Sequence, residues 1–284
     1  LKNLVYKKYI DIPSSSDKIA IGDITNKQFN IVSKTVNQGD EFSISESLET
    51  LIEAIVIDNK RISTLSRIDK AIIVLSAYKD SVNDKITINT GEGSTQIYVQ
   101  QIIDNILNIE DGIEKKIKID NIEITLASPK KLYYSNTADL IVGCIDRVLC
   151  EEDVYFFSEF TEEDKDKFLD SITHPILNDC QHFLEGIASW PKTNVMPVTK
   201  SNIEEYNVSL VDNSIYFLIK SLFNVSYYSI SENIYMFISQ LNGSIDHYNE
   251  ITPFDFEDYV RIHQAFQKRQ QTDLNSGGQG INNF

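Results

Sequence analysis

Three cysteines and two histidines near the middle of the chain carry the most reactive side chains in the sequence. Cys144, Cys150 and Cys180, with His174 and His182, offer the ligand types of a zinc site. Their spacing argues against one, because Cys-x5-Cys and Cys-x-His match no common ligand frame, and Cys144, Cys180 and His182 are interleaved with positions expected inside a core. A cysteine nucleophile needs a nearby histidine and an electropositive pocket, whereas this stretch is strongly acidic, which raises a thiol pKa. The odd cysteine count in a long chain reads as reduced, packed thiols. Gly91-x-Gly93 suggests a phosphate loop, but the Gly-Lys-Ser/Thr ending of a P-loop and the third glycine of a dinucleotide loop are absent, so it reads as a turn. Carboxylates abound, and no pair stands out as an acid–base couple. The expectation is a protein without catalytic residues, metal or cofactor.

One charge feature stands above the background. Between Glu151 and Asp170 there are nine acids against Lys165 and Lys167, a net charge of −7. A solvated helix face is one reading of such a run. The other is a contact for a basic partner, because Val154, Tyr155, Phe156, Phe157 and Phe160 are embedded among the acids, and aromatic anchors within a charged rim have the composition of an interface. Tyr155, Phe156, Phe157 and Phe160 are therefore candidate partner-binding residues, joined by Phe284 at the end of a Gly-rich stretch.

The elements that must position these residues follow from periodicity. Residues 138–149 place Leu140 or Ile141, Cys144 or Ile145, and Val148 at helical spacing, which predicts a helix. Thr161-Glu162-Glu163-Asp164 caps a second helix starting at Glu162, and Pro175 fits the first turn of a third, with Ile176, Cys180, Phe183, Leu184 and Ile187 on one face. Upstream, helices are predicted from Ser45 and from Ser66. Lys85–Asn89 and Thr95–Val99 alternate as a hairpin, Ile102 to Leu107 form a short helix, and Ile117–Ile119 with Ile122–Ile124 form a second hairpin. Downstream of a turn-rich loop from Pro191 to Thr199, residues 215–223 are apolar on nearly all sides and predict an enclosed helix. Two amphipathic helices follow, one capped by Ser229 or Ser231 with Ile234, Phe237, Ile238 and Leu241 inward, the other capped at Thr252 with Phe256, Tyr259, Val260, His263 and Phe266 inward.

The resulting class is α+β and mostly helical, with a small antiparallel sheet in the N-terminal half and a helical C-terminal half. Four parts are expected: an N-terminal arm over 1–35 with little core of its own, an α+β domain over 36–190, a helical domain over 191–271, and a flexible tail over 272–284. With 284 residues, 42% of them apolar, a sizeable core can be buried. A formal charge of −16 opposes binding to a phosphate backbone. No run of eighteen apolar residues occurs, and the first residues lack the pattern of a signal peptide, so a soluble protein made in the cytoplasm is expected.

The order of residue types also carries a resemblance. Cys144-Ile145-Asp146-Arg147-Val148, an acidic patch with Val154-Tyr155, a capped Phe168-Leu169 helix, and a Phe183-Leu184-Glu185 helix ending in Trp190-Pro191 resemble the baseplate hub proteins of T-even-type contractile-tailed phages. Ile12-Pro13-Ser14-Ser15, Leu65-Ser66-Arg67-Ile68-Asp69-Lys70 and the stretch from Ile117 to Pro129 fit the same pattern, so that the resemblance covers about residues 10 to 195. The resemblance implies a non-enzymatic structural component or assembly factor of a tail baseplate hub, assembled in the host cytoplasm. It would have other phage tail proteins as partners in a hetero-oligomer, with no cofactor, no nucleic acid and no membrane span. The rival classes are a small-molecule hydrolase or transferase with a dispersed site, and a host-directed adaptor that binds a basic protein.

Overall fold

The computed structural model describes residues 7–277 apart from 91–92, 109–113, 120, 152, 172–173, 190–193, 196–205 and 208–211. The chain opens with an antiparallel hairpin, β1 (Lys8–Ile12) and β2 (Ser15–Ile21). Helices α1 (Asn26–Gln38), α2 (Glu41–Ile55) and α3 (Arg67–Ser81) follow, with a 3-10 turn between the last two. Each of the three has a side-chain cap, from Thr25, Asp40 and Ser66, which satisfies backbone donors that the first turn leaves unpaired. A second hairpin, β3 (Lys85–Thr90) and β4 (Gly93–Tyr98), leads into α4 (Val99–Leu107). Strands β5 (Lys115–Ile119) and β6 (Ile122–Leu126) then pair, and after α5 (Thr137–Val142) come β7 (Ile145–Cys150) and β8 (Asp153–Phe156). These four strands make one antiparallel sheet in the order β5-β6-β7-β8. Helices α6 (Glu162–Ser171) and α7 (His174–Ser189) follow it. A two-residue pair, β9 (Asn194–Val195) with β10 (Tyr206–Asn207), precedes α8 (Ser214–Leu222), α9 (Tyr227–Ser239), α10 (Ile245–Glu250) and α11 (Pro253–Gly277). The class is α+β and mostly helical, as the sequence predicts.

Helix α3 is the axis of the main core. Every residue from Arg67 to Tyr78 is buried, including Arg67, Asp69 and Lys70, so a stretch with no solvent face must have its charges satisfied inside the fold. The Asp69 carboxylate accepts hydrogen bonds from the Ser66 N–H at 3.0 Å, the Ser14 N–H at 3.1 Å and the Ser14 hydroxyl. Arg67 donates to the Leu132 carbonyl at 3.0 Å and lies over the Tyr134 ring. Lys70 donates to the Lys130 carbonyl at 2.7 Å and pairs with Glu49 at 2.8 Å. The Arg67 N–H reaches the Pro129 carbonyl at 2.8 Å. The β1–β2 turn, the start of α3 and the Pro129–Leu132 segment therefore meet at one buried polar junction.

Several sequence expectations change. Ile10, Ile12, Ile19, Ile21, Ile24, Phe29 and Val32 sit in the main core, so residues 8–35 form a hairpin and a helix that pack into the body, where an arm with little core was expected. Asn26, at the start of α1, donates from its side chain to the Tyr248 carbonyl at 3.0 Å and from its N–H to the Ile251 carbonyl at 2.8 Å, which joins this end of the chain to α10. The helix predicted over 138–149 stops at Val142, and Ile145–Cys150 is a strand. The register of β6 against β7 shifts between Thr125 and Leu126, so that Ile145 and Val148 both face the core although they are three residues apart. A bulge thus reproduces the spacing of a helical stripe. Helix α8 buries Ile215, Tyr216, Leu218, Ile219 and Leu222 against the main core beside α3. Phe237, Tyr248 and Phe256 form a smaller core among α9, α10 and α11. Ser226 caps α9, upstream of the serines expected to do so, and α10 was not foreseen. The stretch 272–277, expected as tail, continues α11. Residues 278–284 lie outside the described residues.

Candidate protein-contact site

Strand β8 is the last strand of the four-stranded sheet, hydrogen-bonded only to β7 within it. Its register sets Val148 opposite Tyr155 and Arg147 opposite Phe156. An edge strand exposes a row of backbone N–H and C=O groups, and native proteins usually blunt it or cover it. Here Val154 is 52% exposed, Tyr155 47% and Phe156 43%, so three consecutive apolar residues stand on an edge that no other described strand covers.

The aromatic cluster picked out by the sequence divides at this point. Tyr155 and Phe156 lie on the surface. Phe157, one residue on, is buried and packs with Phe160 and Phe168 at ring separations of 5.3 and 5.6 Å, with Phe160 half-buried. Tyr155 and Phe156 are thus both surface groups, on opposite faces of the strand, and Phe157 belongs to the core. Phe284 lies outside the described residues.

The charge around the edge is acidic. Glu151, Asp153, Glu159, Glu163, Asp164, Asp166 and Asp170 are all exposed. Lys167 answers Glu163 at 2.7 Å, and Arg147, beside Phe156, is held by Glu114 at 2.5 Å. Thr161 caps α6 by accepting from the Asp164 N–H at 3.1 Å, which fixes where the acidic helix starts. A sheet edge with protruding rings and an acidic border has the chemistry to receive an extended, basic segment of another protein, with main-chain hydrogen bonds for affinity and alternate side chains for selection.

The reactive side chains are placed differently. Cys144 is buried, its Sγ 3.7 Å from the Leu140 carbonyl, and burial drives its thiol far above the ordinary range. Cys180 is buried too, and burial, with Asp179 nearby, pushes its thiol up to about 11. Cys150 is exposed at the end of β7. His174 and His182 are exposed on α7, where His182 sits 3.3 Å from Glu185. Among the described residues no group of three or more His, Cys, Asp or Glu side chains could hold a metal ion. Gly93 pairs with Thr90 at the end of the β3–β4 hairpin, and Gly91 lies outside the described residues.

The polar junction around Asp69 escaped the sequence reading, although Ser66-x-x-Asp69 is a capping box and was the available signal. Its location is informative, because it joins three segments that carry the resemblance described above: Pro13-Ser14, Ser66–Lys70 and Pro129.

Comparison with known proteins gives one family. A family model described as T4 bacteriophage base plate protein matches residues 5–217. Among curated proteins and among solved structures, nothing matches the chain.

Proposed function

The chain belongs to the T4 bacteriophage base plate protein family, and from that premise we propose that it serves the hub of a phage tail baseplate, as a structural part or an assembly factor, by protein contacts alone. The family implies a structural protein of the virion tail with other tail proteins as partners. The observation that carries the finer reading is the β8 edge. It offers a strand paired on one side only among the described residues, Val154, Tyr155 and Phe156 on the surface, and an acidic border. In this reading a neighbouring hub protein adds an extended basic segment to β8, and Tyr155 and Phe156 anchor it. The formal charge of −16 agrees with a protein partner and opposes a nucleic-acid one. No helix among the described residues is long and apolar enough to cross a membrane.

Mass measurement of purified virions tests the assignment. Stoichiometric presence supports a structural part. Absence, together with a tail-assembly defect when the gene is removed, supports an assembly factor. Absence without any tail defect overturns the proposal and returns the chain to the rival classes, an enzyme with a dispersed site or an adaptor for a host protein.

A further inference from the structure

Helix α11 has two apolar faces, and the fold buries one. Phe256 and Val260 pack into the small core with Phe237 and Tyr248. A different stripe carries Tyr259, Ile262 and Phe266, which are 43%, 68% and 58% exposed; Tyr259 meets Phe237 and His247 with its ring, each at 6.1 Å, and Ile262 and Phe266 stand further out. At 3.6 residues per turn these three lie within about 60° of one another, and Ile262 lies more than about 90° from Phe256 and Val260. Every residue from Gln264 to Thr272 is exposed, so the C-terminal half of the helix leaves the body. A helical run of that length is marginal in water without a packing partner.

The charges on this helix are ordered. Asp255, Glu257 and Asp258 stand in the N-terminal part and Lys268 and Arg269 in the C-terminal part. Asp255 and Arg269 fall on the apolar stripe itself, the first seven residues before Ile262 and the second seven after it. We infer that α11 docks antiparallel on α11 of a second copy of this chain, about a two-fold axis at Ile262. That register sets Ile262 against its own counterpart, interleaves Tyr259 with the second copy's Phe266, and brings Asp255 and Asp258 of each chain to Arg269 of the other. A parallel pairing would instead stack Arg269 on Arg269 and Asp258 on Asp258. The antiparallel one also opposes the helix dipoles and closes as an isologous dimer. Asp255 already accepts from the Thr252 N–H and hydroxyl, and Asp258 pairs with Arg261 at 2.5 Å, but a carboxylate has acceptor capacity for a further donor. The exposed half of each helix would then lie along the body of the other chain.

Sedimentation of the full chain across a wide concentration range tests this, with thermal melting to confirm that each variant is folded. The expected result is a reversible dimer for the wild type and a monomer for Ile262→Asp with an unchanged melt. Arg269→Asp and Asp258→Lys should each weaken self-association by about tenfold or more. An equimolar mixture of the two single variants should recover it as a heterodimer, since both charge pairs are restored only across that pair. A wild-type monomer at every concentration, or a dimer indifferent to both Ile262→Asp and Arg269→Asp, overturns the inference. A wild-type monomer that instead captures another purified tail protein through Ile262 overturns it as well, and gives the face to a different occupant.

Discussion

Asp69 shows how much of this fold rests on single buried polar groups. Its carboxylate holds the Ser66 N–H and the Ser14 N–H, and so ties the β1–β2 turn to the start of α3. Hydrogen bonds to a charged group are worth about 1.5–3 kcal/mol, and a donor left unpaired costs about as much, so Asp69→Ala should destabilise by about 2–3 kcal/mol in urea unfolding. A second residue-scale prediction separates neighbours in the aromatic cluster. Phe157→Ala should cost about 3–5 kcal/mol because it opens a cavity against Phe160 and Phe168, while Tyr155→Ser with Phe156→Ser should leave the melt nearly unchanged. A third concerns pH. Burial pushes the Glu41 carboxyl up, but hydrogen bonds from Lys220 at 2.5 Å and Tyr216 at 2.6 Å outweigh it and hold the group below its ordinary value. An acid depressed in the folded state contributes stability above its unfolded pKa, and that contribution is lost as pH falls through the folded one. Glu41→Gln should therefore lower the melting temperature near neutral pH, and the gap to wild type should close below about pH 4. Melts across about pH 3 to 7 measure it directly.

At the scale of elements, the sequence was most legible where one local rule acts alone. The hairpins β3–β4 and β5–β6 follow from alternation around short turns, and the starts of α3, α6 and α11 from the capping residues Ser66, Thr161 and Thr252. Reading failed where tertiary geometry imitates another period, as in β7, whose bulge puts Ile145 and Val148 on one face. It failed also where the apolar stripe is thin. Helix α1 buries only Phe29 and Val32 among its large apolar residues and leaves Ile31 exposed, although the Thr25–Gln28 capping box marks its start. The β7–β8 turn supplies a further prediction. Glu151 there has φ of 56°, a left-handed conformation that costs a side-chain-bearing residue about 1–2 kcal/mol and glycine little. Glu151→Gly should raise stability by about 0.5–1 kcal/mol in urea unfolding, the larger unfolded-state entropy of glycine cancelling part of the relief.

For the whole molecule, the elements met in chain order are not stacked in that order. The N-terminal hairpin and α1 pack with α2, α3 and α8, and α1 is bonded to α10, so residues far apart in sequence close one body. That closure is invisible to periodicity, because nothing in Ile10, Ile12, Ile19 and Ile21 says which surface will cover them. The candidate site was legible in composition and not in geometry. The sequence marked aromatics among acids, whereas only the sheet order shows that Tyr155 and Phe156 stand on an edge strand and that Phe157 does not. The central claim is that this edge is where a tail partner binds. The most direct measurement is the yield of complete tails when a phage lacking this gene is complemented with the chain carrying Tyr155→Ser and Phe156→Ser. The account predicts a folded protein, wild-type in its melting, that fails to support complete tails; complete tails at wild-type yield from that variant would contradict it.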